Sequence, residues 1–295
     1  MQKVSFTQSF NDRIAIGAGD QTESAVYRFD ARLPKPCFHP LTTPAGQQIS
    51  GFEMSDHIWH RGLWFTIKFI NGTNFWEEHE PFGIQQTTTQ PTASPTSTDT
   101  VQITHDLQWT SKETGLVLLE NRRLKYQLDP RGFCCIDWST TLNARQDLLL
   151  DRTPYTTWGG YGGLSFRSHR QLHDAGFILP DGGSTPGLAG QTHDWVMMHA
   201  KVDGGADARI AIGMIDHPTN PRSPTPWYCK VGNGFNYMNA AFLFHEPMQL
   251  AKGQSLSFQY RFVYRDGVWD AKEFQAIADE FRCCPVPSPG TPGEG

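Results

Sequence analysis

The strongest constraint on what this chain can fold into is an alternation of apolar and polar residues with a period of two. In 101–109, VQITHDLQW, Val101, Ile103, His105, Leu107 and Trp109 fall on one face; Gln102, Thr104, Asp106 and Gln108 fall on the other. Residues 255–265 repeat the pattern, with Leu256, Phe258, Tyr260, Phe262 and Tyr264 opposed to Ser257, Gln259, Arg261 and Arg265. Residues 122–128 set Leu124, Tyr126 and Leu128 against Arg123, Lys125 and Gln127. Successive strand side chains point to opposite faces, so this predicts antiparallel strands with one face on a core. Further strands are predicted at 3–8, 12–17, 24–29, 63–69, 132–140, 161–167, 195–202, 208–216 and 235–244. The 208–216 segment, ARIAIGMID, is apolar on both faces and belongs in the middle of a sheet.

Helical spacing holds in one place. In DAKEFQAIADEF, 270–281, Phe274, Ile277, Ala278 and Phe281 recur every 3.6 residues and Asp270 can cap the start. About a dozen strands against one helix predict an all-β fold, a large antiparallel β-sandwich with one C-terminal helix. Residues 86–100, QTTTQPTASPTSTDT, carry no large apolar side chain and are expected as a flexible Ser/Thr/Pro loop or a hairpin excursion. Residues 285–295 are expected as a disordered tail, leaving 1–284 as a single domain.

Composition excludes several classes. With 25 Lys+Arg against 30 Asp+Glu the net charge is −5, and no basic block favours nucleic acid or anionic membrane. No apolar run reaches the roughly 18–20 residues of a membrane span. The start, MQKVSFTQSFNDR, lacks the layout of a secretory signal, so a cytoplasmic setting is expected. The six cysteines include two adjacent doublets and no C-x-x-C, which predicts reduced thiols and no zinc knuckle.

Chemistry concentrates in three stretches. The first is 36–80, with His39, Asp56, His57, His60, Arg61, Glu77, Glu78 and His79 among Trp59, Trp64 and Trp76. His57 and His60 form an H-x-x-H pair, but residues i and i+3 of a strand point apart. They could share a metal ion only from a turn, with His39 or a carboxylate as third ligand. Otherwise they are polar cleft residues, or structural histidines satisfied by backbone. The second stretch, 158–170, is WGGYGGLSFRSHR. A strand there puts Tyr161, Ser165 and Arg167 on one face and Leu164 and Phe166 on the other, and its glycines admit a ligand or a crossing strand. It lacks the spacing of a nucleotide loop, so no cofactor is expected. The third, 216–228, is DHPTNPRSPTPWY, a proline-stiffened segment offering His217, Asn220, Arg222 and Trp227 to a hydroxyl-rich ligand, or simply a rigid connector. No nucleophile elbow or catalytic cysteine is present, and acid–base work by His with Asp or Glu is the chemistry best supplied.

The motifs KPCFHPLTTPAG (35–46), DHIWHRGLWF (56–65), NGTNFWEE (71–78), YGGLSFR (161–167), DHPTNPRSPTPWY (216–228) and LAKGQSLSFQYRFVYRDG (250–267) resemble the "methane oxygenase PmoA-like" bacterial family of unassigned activity. That resemblance implies a galactose-mutarotase-like supersandwich, whose relatives bind sugars on a concave sheet face and often use His with a carboxylate. Genes of such proteins tend to accompany sugar oxidoreductases. The family's polar positions fall on His39, Asp56, His57, His60, Arg61, Glu78, Arg167, His217, Asn220 and Trp227; many relatives carry His where Arg61 stands here.

The resulting expectation is a protein acting on a sugar or an oxidised (keto) sugar by epimerisation, elimination or hydrolysis. His57, His60 and Glu78 would move protons. His39, Asp56, Trp59, Arg61, Arg167, His217, Asn220 and Trp227 would hold the substrate. The alternatives are a non-catalytic sugar-binding module and a metal-dependent enzyme using His39, His57 and His60.

Overall fold

The computed structural model describes residues 3–9, 11–153, 161–203, 208–232 and 234–284. The residues expected as a disordered tail lie outside the described residues, as do Trp158, Gly159 and Gly160 of the second stretch.

The alternating segments form two large antiparallel sheets. One has nine strands in the order Val4–Ser9, Arg13–Ala18, Gln21–Arg28, Cys37–Leu41, Leu63–Ile67, Gly162–Arg167, Tyr237–Ala240, Pro226–Lys230 and Gly187–Thr192. The other has ten and is built around Thr100–Ser111, Gly115–Asp129, Phe133–Ala144, Ser255–Asp266, Arg209–Asp216 and Trp195–Val202. The inner faces meet through ring contacts such as Phe38 with Trp138, Phe65 with Phe258 and Phe166 with Phe262. Their residues form the main core, as sheet-on-sheet packing requires. This is the large antiparallel sandwich the alternation predicts.

The strand Arg209–Asp216 is central, lying between Ser255–Asp266 and Trp195–Val202. It is apolar on both faces because Ile210, Ile212 and Met214 enter the main core while Ala211 and Ile215 lie under the helix. The helix spans Ala271–Arg282, with Asp270 as N-cap in a capping box with Glu273. It buries Phe274, Ile277, Ala278 and Phe281 against the outer face of the ten-stranded sheet. Gly213 makes room for it, since a Cβ there would stand 2.0 Å from the Phe274 ring.

Of the two alternatives for the Ser/Thr/Pro-rich stretch, the structure shows the hairpin and not the flexible loop. Thr92–Ser97 pairs with Thr100–Ser111 across a tight turn, and Ile84–Thr87 pairs with the same long strand. Its backbone pairs while its polar side chains stay mostly exposed, so no large apolar residue is needed. No helix of the described residues is long and apolar enough to cross a membrane.

Candidate functional site

The period of two that fills the core also decorates the outer face of the nine-stranded sheet. Leu63, Phe65, Leu164, Phe166, Met238, Trp227 and Cys229 point inward. Their neighbours Trp64, Ser165, Arg167, Tyr237, Asn239, Tyr228 and Lys230 therefore point outward. Register gathers them: Ser165 lies between Trp64 and Asn239, Arg167 beside Tyr237, and Lys230 across from Tyr237. Trp64, Trp76, Tyr228 and Tyr237 form a separate aromatic cluster there, with Trp59, Tyr161 and Phe235 packed on it.

A two-stranded hairpin, Phe52–Met54 with His57–Arg61, lies over this face. Met54 pairs with His57 but Phe52 pairs with Arg61, so the second strand is bulged. A bulge breaks the alternation, which explains how His57 and His60, three residues apart, face the same way. Their rings stack at 4.6 Å and 15°. His60 stacks in turn on Tyr237 at 5.2 Å and 16°. Beside this stack is a cavity of about 360 Å³ lined by His57, His60, Tyr161, Tyr228, Lys230, Phe235 and Tyr237, with Val231 and Gly232 at one side. Its size falls within the roughly 300–1,000 Å³ of small-molecule sites.

The electrostatics centre on Asp56. It accepts a hydrogen bond from Arg167 Nη2 at 2.7 Å, lies 3.6 Å from Arg170, and its Oδ2 stands 3.4 Å from His57 Nδ1 without hydrogen-bond geometry. Burial is the largest single influence on Asp56 and opposes its ionisation, but the hydrogen bond and charge of Arg167, with smaller contributions beside them, together hold the carboxyl below its ordinary range. Arg167 is fully buried, its guanidinium 4.0 Å over the Phe235 ring, with Nε and Nη1 lacking partners among the described residues. His60 Nδ1, Trp64 Nε1 and Tyr237 OH are likewise buried and unpartnered. Burial pushes His60 well below the ordinary histidine range and Tyr237 well above that of tyrosine, so both are neutral at pH 7. Buried polar groups are normally hydrogen-bonded; unpartnered ones gathered around one hollow mark where a polar ligand can bind.

The other residues expected at a site go elsewhere. Glu78 is ion-paired with Arg61 and with Lys35 at 2.9 Å, and Arg61 also reaches Glu53. Its oxygens are thus committed to two buried cations, and it does not line the cavity. Trp59 stands edge-on to His57 at 5.3 Å, beside the cavity. His39 stacks on Phe52 at 4.9 Å and bonds Ser50, away from the histidine pair. No group of three or more His, Cys, Asp or Glu among the described residues is placed to hold a metal ion, so His39, His57 and His60 do not form a ligand set.

The third stretch does not converge on the cavity. His217 bonds Thr219 and the Cys284 carbonyl and meets Phe281 edge-on, so it docks the end of the helix. Asn220 donates to Asp216 and the Gln259 carbonyl and accepts from Gln259 N–H, stitching a turn to the neighbouring strand. Trp227 is in the main core with Nε1 bonded to the His193 carbonyl. Sequence reasoning passed over Tyr228, Lys230, Phe235 and Tyr237. The alternation of Pro226–Lys230 carries the signal for two of them, but prolines made that segment read as a loop. At Gly163, with φ of +102°, the close approach is by the neighbouring strand of the same sheet, neither a ligand nor a crossing strand: a Cβ would stand 2.3 Å from the Ala240 carbonyl oxygen.

Acid stability follows from these burials. His60 is held neutral, and burial with nearby Arg28 or Arg122 lowers His39 to about 4 and His105 to about 3. The unfolded chain therefore binds the extra protons. Stability is full above the ordinary value of 6.5 and is lost as pH falls toward the folded values, by up to about 1.4 kcal/mol per pH unit per group. Asp216, raised to about 6 by burial, has the opposite sign, but it is one group against these three and His169, His199 and His217, which burial also lowers. The melting temperature should drop steadily from pH 6.5 to about 4.5, and His105→Gln should lessen the drop. A melting temperature as high at the acid end as at neutrality would refute this account.

A family profile described as "Family of unknown function (DUF6807)" matches residues 14–279. This corrects the membership expected from the motifs: the matched family is one of unknown function, and nothing points to a methane-oxygenase-like one. No curated protein matches the chain. Among solved structures, the chain is similar to galactose 1-epimerase from Lactobacillus acidophilus at 10% identity and a TM-score of 0.41, covering 91% of this chain and 100% of that one. It is similar to a galactose mutarotase related enzyme from the same organism at 8% identity and a TM-score of 0.38, covering 92% and 99%. An aldose epimerase homologue from C. elegans gives 8% identity and a TM-score of 0.33, covering 90% and 99%. These likenesses accompany the sandwich architecture and say nothing of activity.

Proposed function

This chain belongs to the DUF6807 family, whose function is unknown, and from the geometry of its own site we propose that the cavity binds a saccharide or oxidised (keto) sugar and acts on it by acid–base chemistry. The observation that carries this reading is the stack of His57, His60 and Tyr237 forming a wall of the cavity, with His60 Nδ1 and Tyr237 OH buried and unpartnered. Aromatic faces suit the apolar faces of a sugar ring, and unpartnered donors and acceptors suit its hydroxyls. His57 is the half-buried imidazole of the stack and the one beside a carboxylate, so it is assigned the proton transfer. His60, neutral and buried, is assigned a hydrogen bond to the substrate. Glu78 is assigned no proton, since Arg61 and Lys35 hold it. Epimerisation, elimination and hydrolysis are all compatible with this set.

The test is a panel of neutral, keto and acidic monosaccharides, with binding followed by calorimetry and conversion followed by proton NMR in D2O. At least one member should bind and be converted, and Tyr237→Ala should weaken its binding more than about tenfold. Binding without any conversion would replace this reading by that of a sugar-binding module. The clamping of Glu78, which leaves no Asp or Glu among the described residues lining the cavity, is the observation that favours that alternative. Absence of binding across the panel would remove the saccharide reading altogether.

A further inference from the structure

The segment 85–90, QQTTTQ, takes no part in the histidine-lined cavity, yet it borders a larger hollow. This hollow, of about 650 Å³ against about 360 Å³, follows the strand Ile84–Thr87 at the edge of the ten-stranded sheet and shares no lining residue with the other. The connection 29–34 runs along it. Gln85 N–H bonds the Pro34 carbonyl at 2.7 Å, which occupies an edge position that an added peptide strand would need. Among the described residues lining the hollow only Asp30 and Arg32 are charged, and Arg32 holds both carboxylate oxygens of Asp30. Amides supply the hydrogen bonding instead. Gln86 and Gln108 are directly paired across the two strands, and Gln86 Oε1 accepts from Gln108 Nε2 at 3.1 Å. Gln86 Nε2 and Gln108 Oε1 are left without a protein partner among the described residues, a donor and an acceptor on one cross-strand pair. Gln90 Nε2 is out of water with no partner. The torsion that turns a terminal amide is soft, so this group can swing to an oxygen in the hollow. Leu33, Pro34 and Phe82 add apolar side chains to the same lining.

We propose that this hollow is a separate binding site for an uncharged oligosaccharide. Each sugar hydroxyl both donates and accepts, so neighbouring hydroxyls match the open donor and acceptor of the Gln86–Gln108 pair. The apolar faces of the rings match Leu33, Pro34 and Phe82. An anionic ligand would find the one lining arginine already bonded to Asp30. With nearly twice the volume of the histidine-lined cavity, the hollow has room for more than one ring. The site goes beyond the reading of that cavity and does not rest on it. Exposed amides exchange bonds with water, so binding is weak, with a Kd of about 0.1–5 mM.

The probes are maltotriose, cellotriose and mannotriose, each titrated to about 10 mM into the full chain labelled with nitrogen-15. The readout is the side-chain NH2 signals of Gln86, Gln90 and Gln108. The Trp64 indole N–H and the Tyr237 amide, which lie against His60, report on the other cavity. At least one trisaccharide should shift the glutamine signals along a saturable curve. Its Kd should not change between about 20 mM and about 300 mM NaCl, because no charge is engaged. Gln90→Leu and Gln86→Leu should each weaken it about fivefold or more. Gln86 is exposed, so its variant keeps the test open even where Gln90→Leu disturbs folding, which the melting temperature checks. No saturable glutamine shift with any of the three sugars overturns the inference. Saturable shifts confined to Trp64 and Tyr237 overturn it too, while supporting the saccharide reading of the histidine-lined cavity. An affinity unchanged in both variants removes the assigned amides and the site with them, and a Kd that rises steeply with salt overturns the uncharged class.

Discussion

His57→Ala should lower the turnover of any saccharide the protein converts by about 10²- to 10⁴-fold, the span a positioned acid–base group contributes. Binding should change far less, because the stacking surface of His60, Tyr237 and Phe235 is left in place. The bulged hairpin turns His57 onto the same side as His60 and leaves its ring half-buried at the cavity. Asp56, fixed by Arg167, puts a carboxylate oxygen 3.4 Å from Nδ1 of that ring. Asp56→Asn should therefore move the pH profile of turnover while retaining part of the rate. His60→Phe keeps the stack and loses one hydrogen bond, so it should cost less than His57→Ala. Equal losses of binding and turnover in His57→Ala would assign the imidazole to recognition, and turnover within a factor of about three of wild type would end its acid–base role.

The parts of this architecture written in a single local period were legible in the sequence. The strands with long alternation and the capped helix at Ala271–Arg282 need only their own residues to declare them. The cavity was legible in part. His57 and His60 drew notice as a pair, yet strand geometry separated them, because the bulge that reunites them arises from pairing with Phe52–Met54 rather than from the pair itself. Tyr228 and Lys230 were hidden because Pro224 and Pro226 suggested a loop, although proline at the first position of a strand costs no ladder bond. His217, Asn220 and Trp227 looked like ligand groups because they are polar or aromatic beside prolines. The structure uses each to satisfy backbone or core instead. Residue type alone does not separate a hydrogen bond made to a ligand from one made to a carbonyl of the same chain.

The same alternation contains a second message, and it leads to the largest stability effect expected. Continued backward from Leu124, the inward face of Gly115–Asp129 reaches Arg122 and Glu120, and both are fully buried in the sandwich. Arg122 donates to Glu120 through Nε at 2.6 Å and Nη2 at 3.0 Å, and to Gln85 and the Tyr27 hydroxyl, while its guanidinium lies 4.7 Å over Trp138. Glu120 also accepts from Trp109 Nε1 and Thr140 Oγ1. Removing only the negative partner strands a guanidinium in the core. Glu120→Gln should accordingly cost about 3–5 kcal/mol, read as a lower midpoint in urea unfolding. Replacing both partners by apolar residues of similar volume, Glu120→Leu with Arg122→Met, should cost much less than the single change, because no charge is left to desolvate. Tyr27 and Trp109 each lose a bond in that double variant, which keeps it short of neutral. A single variant that unfolds within about 1 kcal/mol of wild type would show that water reaches this pair, and the dry inner face of the sandwich would have to be redrawn.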